Sequence, residues 1–186
     1  GPDAEITPKI LSLLETEKIK ATFFVIGKKA EQQMELINEI HRKGHVIANH
    51  SYSHSNWIGF FSSKKLFNDI GKCSLVIEKI IGKKSLYFRP PFGVTNPRYS
   101  KVLNRLCLTS VGWTIRSLDT ITNNKEKLIR RITGSVTGGC IILFHDTQKI
   151  TLETLPDIIA FCRQNNIKIV SLPELIDRCP YYEKKV

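Results

Sequence analysis

Residues 21–50 read ATFFVIGKKAEQQMELINEIHRKGHVIANH, and this stretch decides the fold. Ala21 to Ile26 is a short apolar run rich in aromatic and β-branched residues that stops at Gly27, which predicts a buried strand. A long helix is expected from about Lys29 to Arg42, closing at Gly44, and a second strand over His45 to Asn49. The same alternation runs outward in both directions. Upstream, Thr7-Pro8 predicts a helix start with Thr7 as N-cap and a first-turn proline, and Ile10, Leu13 and Leu14 form its apolar stripe. Downstream, helices are expected near 64–81, 96–106, 125–133 and 152–165, with a short one opening at Leu172. Strands are expected at 86–89, 108–115, 140–144 and 167–170. Strands alternating with helices, without a low-complexity linker or a fixed-period repeat, predict an α/β fold in one domain over residues 1–186.

The strand at 45–49 runs into His50-Ser51-Tyr52-Ser53-His54, two imidazoles four residues apart. Such a pair can converge on one zinc-like ion, although in isolation the spacing fits loop-capping histidines equally well. Three further segments keep it company: Arg89-Pro90-Pro91-Phe92-Gly93, Trp113 to Asp119, and Leu143-Phe144-His145-Asp146. Each falls at or just beyond the C-terminal end of an expected strand, where α/β folds build their sites. Trp113 reads as core; Trp57, Phe60 and Phe61 read as loop packing, with a sugar-stacking surface as the alternative.

Composition narrows the classes. With 186 residues, 41% hydrophobic and 24% charged, the chain can bury a substantial core. No run approaches the roughly 20 apolar residues that span a bilayer, and no signal-peptide pattern opens the chain. The net charge of +11 favours acidic partners. Its lysines are scattered in short pairs with no aromatic-interleaved basic motif, so no nucleic-acid partner is expected. Five cysteines without a C-x-x-C pair read as buried packing residues.

Taken in order, these segments resemble the polysaccharide deacetylases of carbohydrate esterase family four, the NodB-homology domain. His50 to His54 is similar to its His-(Ser/Thr)-x-x-His metal motif, Phe88 to Gly93 to its Arg-x-Pro-(Tyr/Phe) segment, and Leu143 to His145 to its Leu-x-His motif. Gly1-Pro2-Asp3 with Thr7-Pro8 resembles the sequence just after its Asp-Asp-Gly-Pro. The resemblance implies a distorted (β/α) barrel and a hydrolase that removes acetyl groups from a polysaccharide such as peptidoglycan or a chitin-like glycan, placed at the cell envelope. It implies His50 and His54 as ligands of a divalent metal, zinc first, and His145 as general acid. Asp119 would orient that histidine, Arg89 would hold the base aspartate, and Phe92, Pro91 and Leu143 would contact the substrate. Two departures, Arg116 and Thr120 where the family often has an acid and a tryptophan, imply an altered groove.

The family's first motif, Thr-Phe-Asp-Asp-Gly-Pro, carries the general base and a third metal ligand, and the present chain starts at the Gly-Pro with no Asp-Asp pair elsewhere. The resemblance therefore implies an N-terminally incomplete barrel of about six strands without its first. Its metal would be weakly held or absent, and its rate lowered about 10²- to 10⁴-fold by loss of the base. An open sheet edge would invite homo-oligomers. The alternative is a catalytically inactive carbohydrate-binding or scaffold domain of the same fold.

Overall fold

The computed structural model describes residues 1–182. In chain order the elements are α1 (Ile6–Thr16), β1 (Thr22–Val25), α2 (Gly27–Gln32), α3 (Met34–Arg42), β2 (Val46–Asn49), α4 (Ser63–Ile81), β3 (Tyr87–Phe88), α5 (Pro97–Leu106), β4 (Thr109–Ser110), β5 (Ile115–Arg116), α6 (Lys125–Thr133), β6 (Ile142–Leu143), α7 (Lys149–Gln164) and α8 (Leu172–Ile176). Two compact units emerge: one of Gly1–Pro2, Ala21–Gly112 and the described residues from Asp177, the other of Asp3–Lys20 and Trp113–Ile176.

The first unit holds a parallel sheet in the order β1-β2-β3-β4. All four residues of β2 are buried, as a strand covered on both faces requires. Helix α4 starts at the Ser62 cap, whose hydroxyl accepts from the Lys65 N–H, and stops at left-handed Gly82. Leu66, Ile70, Cys73 and Ile77 recur along it at helical spacing, and all are buried. In the second unit β5 pairs with β6 in parallel. Ile115, Leu128, Ile132, Ile150 and Ile158 make its core, and Asn124 caps α6 by accepting from the Lys127 N–H.

Several expected elements came out differently. The helix expected over 29–42 is two, α2 and α3, because Gln33 leaves the helical basin at φ −134°, ψ 47°. The strand expected over 108–115 is split between two sheets. The carbonyls of Val111 and Gly112, which would have continued the β4 ladder, instead accept from the Arg89 guanidinium at 3.1 and 2.8 Å. Trp113 sits in that interruption, half-buried rather than core. Residues 167–170 form no strand: Ile167 donates back to the Cys162 carbonyl and Ile169 is exposed, so the apolar run has no ladder partner among the described residues. Thr7 does not cap α1. The N-cap position of that helix is Glu5, without a side-chain cap; in the turn before it Asp3 Oδ1 accepts from the Glu5 and Ile6 N–H groups, while the Thr7 hydroxyl accepts from the Asp3 N–H. Of the cysteines, all free, Cys73 and Cys162 are buried but Cys107 and Cys179 are exposed.

Candidate active site

In the first unit, the loop after β2 is held by a nearly complete set of backbone partners. Asn49 is fully buried; its amide donates to the Ile70 carbonyl at 2.9 Å and the Ser74 hydroxyl at 2.8 Å, and its oxygen accepts from the Ser51 N–H. Asp69 on α4 accepts from the Tyr52 and Ser53 N–H groups, and Ser51 Oγ accepts from the His54 N–H. The N–H groups of Gly27 and Lys28, at the start of α2, take the Ser51 and Tyr52 carbonyls. These bonds support two non-glycine residues at positive φ, Ser51 (67°) and His54 (47°).

The outcome is that two imidazoles sit close together, ring centroids 4.9 Å apart. His50 Nδ1 lies 2.7 Å from the Arg89 carbonyl. A carbonyl only accepts, so Nδ1 carries the proton and Nε2 keeps its lone pair, the tautomer a metal-binding histidine needs. Burial pushes the His50 pKa down to about 3, so the ring is neutral at pH 7. The pair thus fits two positions in a divalent ion's shell. Among the described residues no group of three or more His, Cys, Asp or Glu side chains could hold a metal ion.

Gly27 makes this arrangement possible. A Cβ there would lie 2.7 Å from Tyr52 Cδ2, 3.1 Å from Tyr52 Cα and 3.2 Å from Cys73 Cα. Gly27→Ala is expected to lower stability by about 1–3 kcal/mol through this overpacking, with the histidine loop displaced. Urea unfolding checks it, and an unchanged midpoint would refute the crowding.

Arg89 is buried, its guanidinium bonded to the Val111 and Gly112 carbonyls and stacked 4.0 Å from the Phe24 ring. Burial lowers its pKa to about 10, which still leaves it cationic. The following Pro91–Gly93 turn has Pro91 buried and Phe92 left-handed (φ 59°), with the Phe92 ring exposed 4.7 Å from the His54 ring.

The second unit assembles an acid–imidazole pair. Asp119 follows β5 and is buried; His145 follows β6 with its side chain 38% exposed. Asp119 Oδ1 accepts from His145 Nδ1 at 2.7 Å, while Oδ2 accepts from the His145 N–H at 2.6 Å and the Thr151 hydroxyl at 2.7 Å. Burial alone would raise the Asp119 pKa, but these hydrogen bonds from His145 and Thr151 outweigh it and the pKa is lowered. An ionised carboxylate only accepts, so His145 Nδ1 is the donor and Nε2 is the nitrogen left for proton exchange. Leu143, two residues before, is half-buried and accepts at its carbonyl from the Ser117 N–H. The Thr7 hydroxyl reaches Asp146 Oδ2 at 2.9 Å.

Asn49, Gly27, Asp69 and Thr151 hold the site but were not singled out from sequence. Gly27 and Asn49 left a trace there, Gly27 as the stop of the run Ala21 to Ile26 and Asn49 as the one polar residue ending the run Val46-Ile47-Ala48. The expectation that Trp57 and Phe60 pack the loop fails: they are 70% and 77% exposed, and only Phe61 is buried. Arg116 is exposed, its carbonyl accepting from Arg131 Nε.

Parallel strands end in paired imidazoles in the first unit and in a carboxylate-bound imidazole in the second. The chain belongs to the polysaccharide deacetylase family, whose profile matches residues 1–111. It is 32% identical over 186 residues to a peptidoglycan-N-acetylglucosamine deacetylase of Bacillus cereus, covering 94% of this chain and 65% of that protein. Among solved structures it is similar to the Bc1960 peptidoglycan N-acetylglucosamine deacetylase at TM-score 0.92 and 28% identity, covering 97% of this chain and 86% of that one. It is also similar to a CE4 family pseudoenzyme from Bacillus anthracis at TM-score 0.88 and 26% identity, covering 95% of this chain and 63% of that one. The α/β fold is that of the CE4 deacetylases.

Proposed function

We propose that this chain carries the metal-binding histidines and the acid–base pair of a divalent-metal-dependent deacetylase that removes N-acetyl groups from a polysaccharide, with peptidoglycan as the substrate. The observation that carries this reading is the Asp119–His145 pair, a buried ionised carboxylate fixing a half-exposed imidazole in one tautomer. His50 and His54 would hold the ion, which when bound supplies a water of lowered pKa. The Phe92 backbone N–H donates to the oxygen that gains charge as the amide is attacked. His145 takes up a proton at Nε2 and passes it to the leaving amine, while Asp119 accepts from Nδ1 and keeps the ring turned for that transfer. Leu143 contacts the acetyl methyl, and Arg89 positions the His50 ring through its own carbonyl.

Among the described residues no third His, Cys, Asp or Glu side chain is grouped with the two imidazoles, and two donors hold a divalent ion weakly. The test is acetate release from soluble peptidoglycan fragments, with and without chelator and with added divalent metal. Metal-dependent release is the expected result; release that survives exhaustive chelation would overturn the assignment. A second reading, a glycan-binding domain without catalysis, draws on the same two-donor site and on the likeness to a CE4 family pseudoenzyme. It predicts fragment binding with no acetate released, with or without added metal.

A further inference from the structure

The turn after the histidine loop holds two aromatic rings out of the core. Ser55 starts it, its carbonyl accepting from the Ile58 N–H and its hydroxyl from the Trp57 N–H. A 3₁₀ turn over Ile58–Phe60 follows. Ile58 and Phe61 anchor it in the cluster with Leu66, Ile70 and Phe88. At three residues per turn, Trp57 and Phe60 then fall above one another on the opposite side, with ring centroids 6.0 Å apart. Burying either ring would yield about 1.5–3 kcal/mol of hydrophobic stabilisation, and the fold forgoes it at both.

These rings continue toward the candidate metal ligands. A Cβ at Gly59 would lie 3.2 Å from Val94 Cγ1, and Val94 follows the turn whose Phe92 ring touches His54. Val94 and Phe92 are themselves exposed. The rim is cationic. Arg98 donates to the Gly59 carbonyl at 3.2 Å, Lys65 lies 3.9 Å over the Phe61 ring, and Lys64 is exposed beside it. No Asp or Glu occurs between Glu39 and Asp69, nor between Glu78 and Asp119, so nothing in either segment offsets these charges.

We propose that Trp57 and Phe60 form a stacking subsite for the pyranose rings of an N-acetylated glycan strand that carries carboxylates. The proposal rests on the deacetylase reading and adds to it the surface, Trp57 and Phe60 with their cationic rim, that holds the acidic strand. An aromatic face is electron-rich and attracts the C–H face of a sugar ring. Arg98, Lys64 and Lys65 supply charge complementarity to carboxylates along the strand, which a neutral strand lacks.

The chain has two tryptophans, so Trp113→Phe leaves Trp57 as the sole indole reporter. Titrating that variant with carboxylate-bearing peptidoglycan fragments is expected to quench and blue-shift its emission saturably. Binding should exceed that of chitotetraose at low salt, with the difference shrinking as salt rises. Phe60→Ala, read by fluorescence, and Trp57→Ala, read by calorimetry, should each weaken binding about tenfold with no change in melting temperature. Three results would each overturn the subsite: variants that bind as wild type, chitotetraose binding as tightly as the acidic fragments, or displacement of the fragments by a single-stranded oligonucleotide. Binding through Trp57 with no acetate released by any form of the protein would instead overturn the deacetylase reading and leave the subsite standing.

Discussion

Asp119→Asn, placed in an active form of the protein, is expected to lower acetate release about 10²- to 10⁴-fold with the fold intact. The reason is the count of donors. Three groups give hydrogen bonds to the two carboxylate oxygens: His145 Nδ1, the His145 backbone N–H and the Thr151 hydroxyl. An asparagine has one acceptor oxygen. The backbone N–H cannot reverse its role, so the amide oxygen must occupy the Oδ2 position and its NH₂ must face His145 Nδ1. The ring then accepts at Nδ1 and carries its proton on Nε2, so it can no longer hold protons on both nitrogens, the acid form that the Asp119 carboxylate supports. Nitrogen NMR of the imidazole reads that change of tautomer directly, and an unchanged tautomer would refute the mechanism.

The same substitution has a pH signature. Asp119 is ionised more readily in the folded than in the unfolded chain. Its hydrogen bonds therefore stabilise the fold at pH above the ordinary aspartate range, and that stabilisation is lost as pH falls through the lowered native value. Wild type should exceed Asp119→Asn in stability by about 1–3 kcal/mol near neutrality, with the gap closing in acid. Urea midpoints of both proteins across this range test it, and a gap that widens toward acid would contradict the assignment.

The second large effect is expected at the histidine pair. His50→Asn keeps a side-chain N–H for the Arg89 carbonyl but has no nitrogen at the Nε2 position, so it separates loop positioning from metal ligation. Together with His54→Ala it should lower the bound divalent metal severely and reduce acetate release at least about 10³-fold, roughly 4 kcal/mol of barrier. Metal content after dialysis and activity with excess metal are the two readouts. Full activity in His50→Asn would remove that histidine from the ligand set.

Much of this site was legible because its residues lie at strand ends, and a strand end is a local pattern. Val46-Ile47-Ala48 followed by His50, and Ile142-Leu143 followed by His145, show where the chain leaves a buried ladder. What could not be read was how each side chain is held. Thr151 reaches Asp119 across 32 residues, and Asp69 reaches the histidine loop across 16 or 17. Such partners have no fixed spacing, because they depend on which helix face packs beside which loop. Trp57 and Phe60 went astray for a related reason: aromatic residues in a loop are scored as packing until the turn shows Ile58 and Phe61 already filling the core.

By itself the amino-acid order determined the alternation of strands and helices, the α/β class and which side chains are candidates for the site, since hydrophobic periodicity and side-chain chemistry are local properties. Tertiary structure alone decided that the 108–115 run is shared between two sheets, that His50 and His145 each have one tautomer, and that two aromatic rings stay in water. Each of those outcomes turns on a partner distant in the chain: the Arg89 guanidinium on the Val111 and Gly112 carbonyls, the Arg89 carbonyl on His50, and Asp119 on His145. A hydrogen bond selects its proton and its geometry only when both ends are in place, and folding is what brings those ends together.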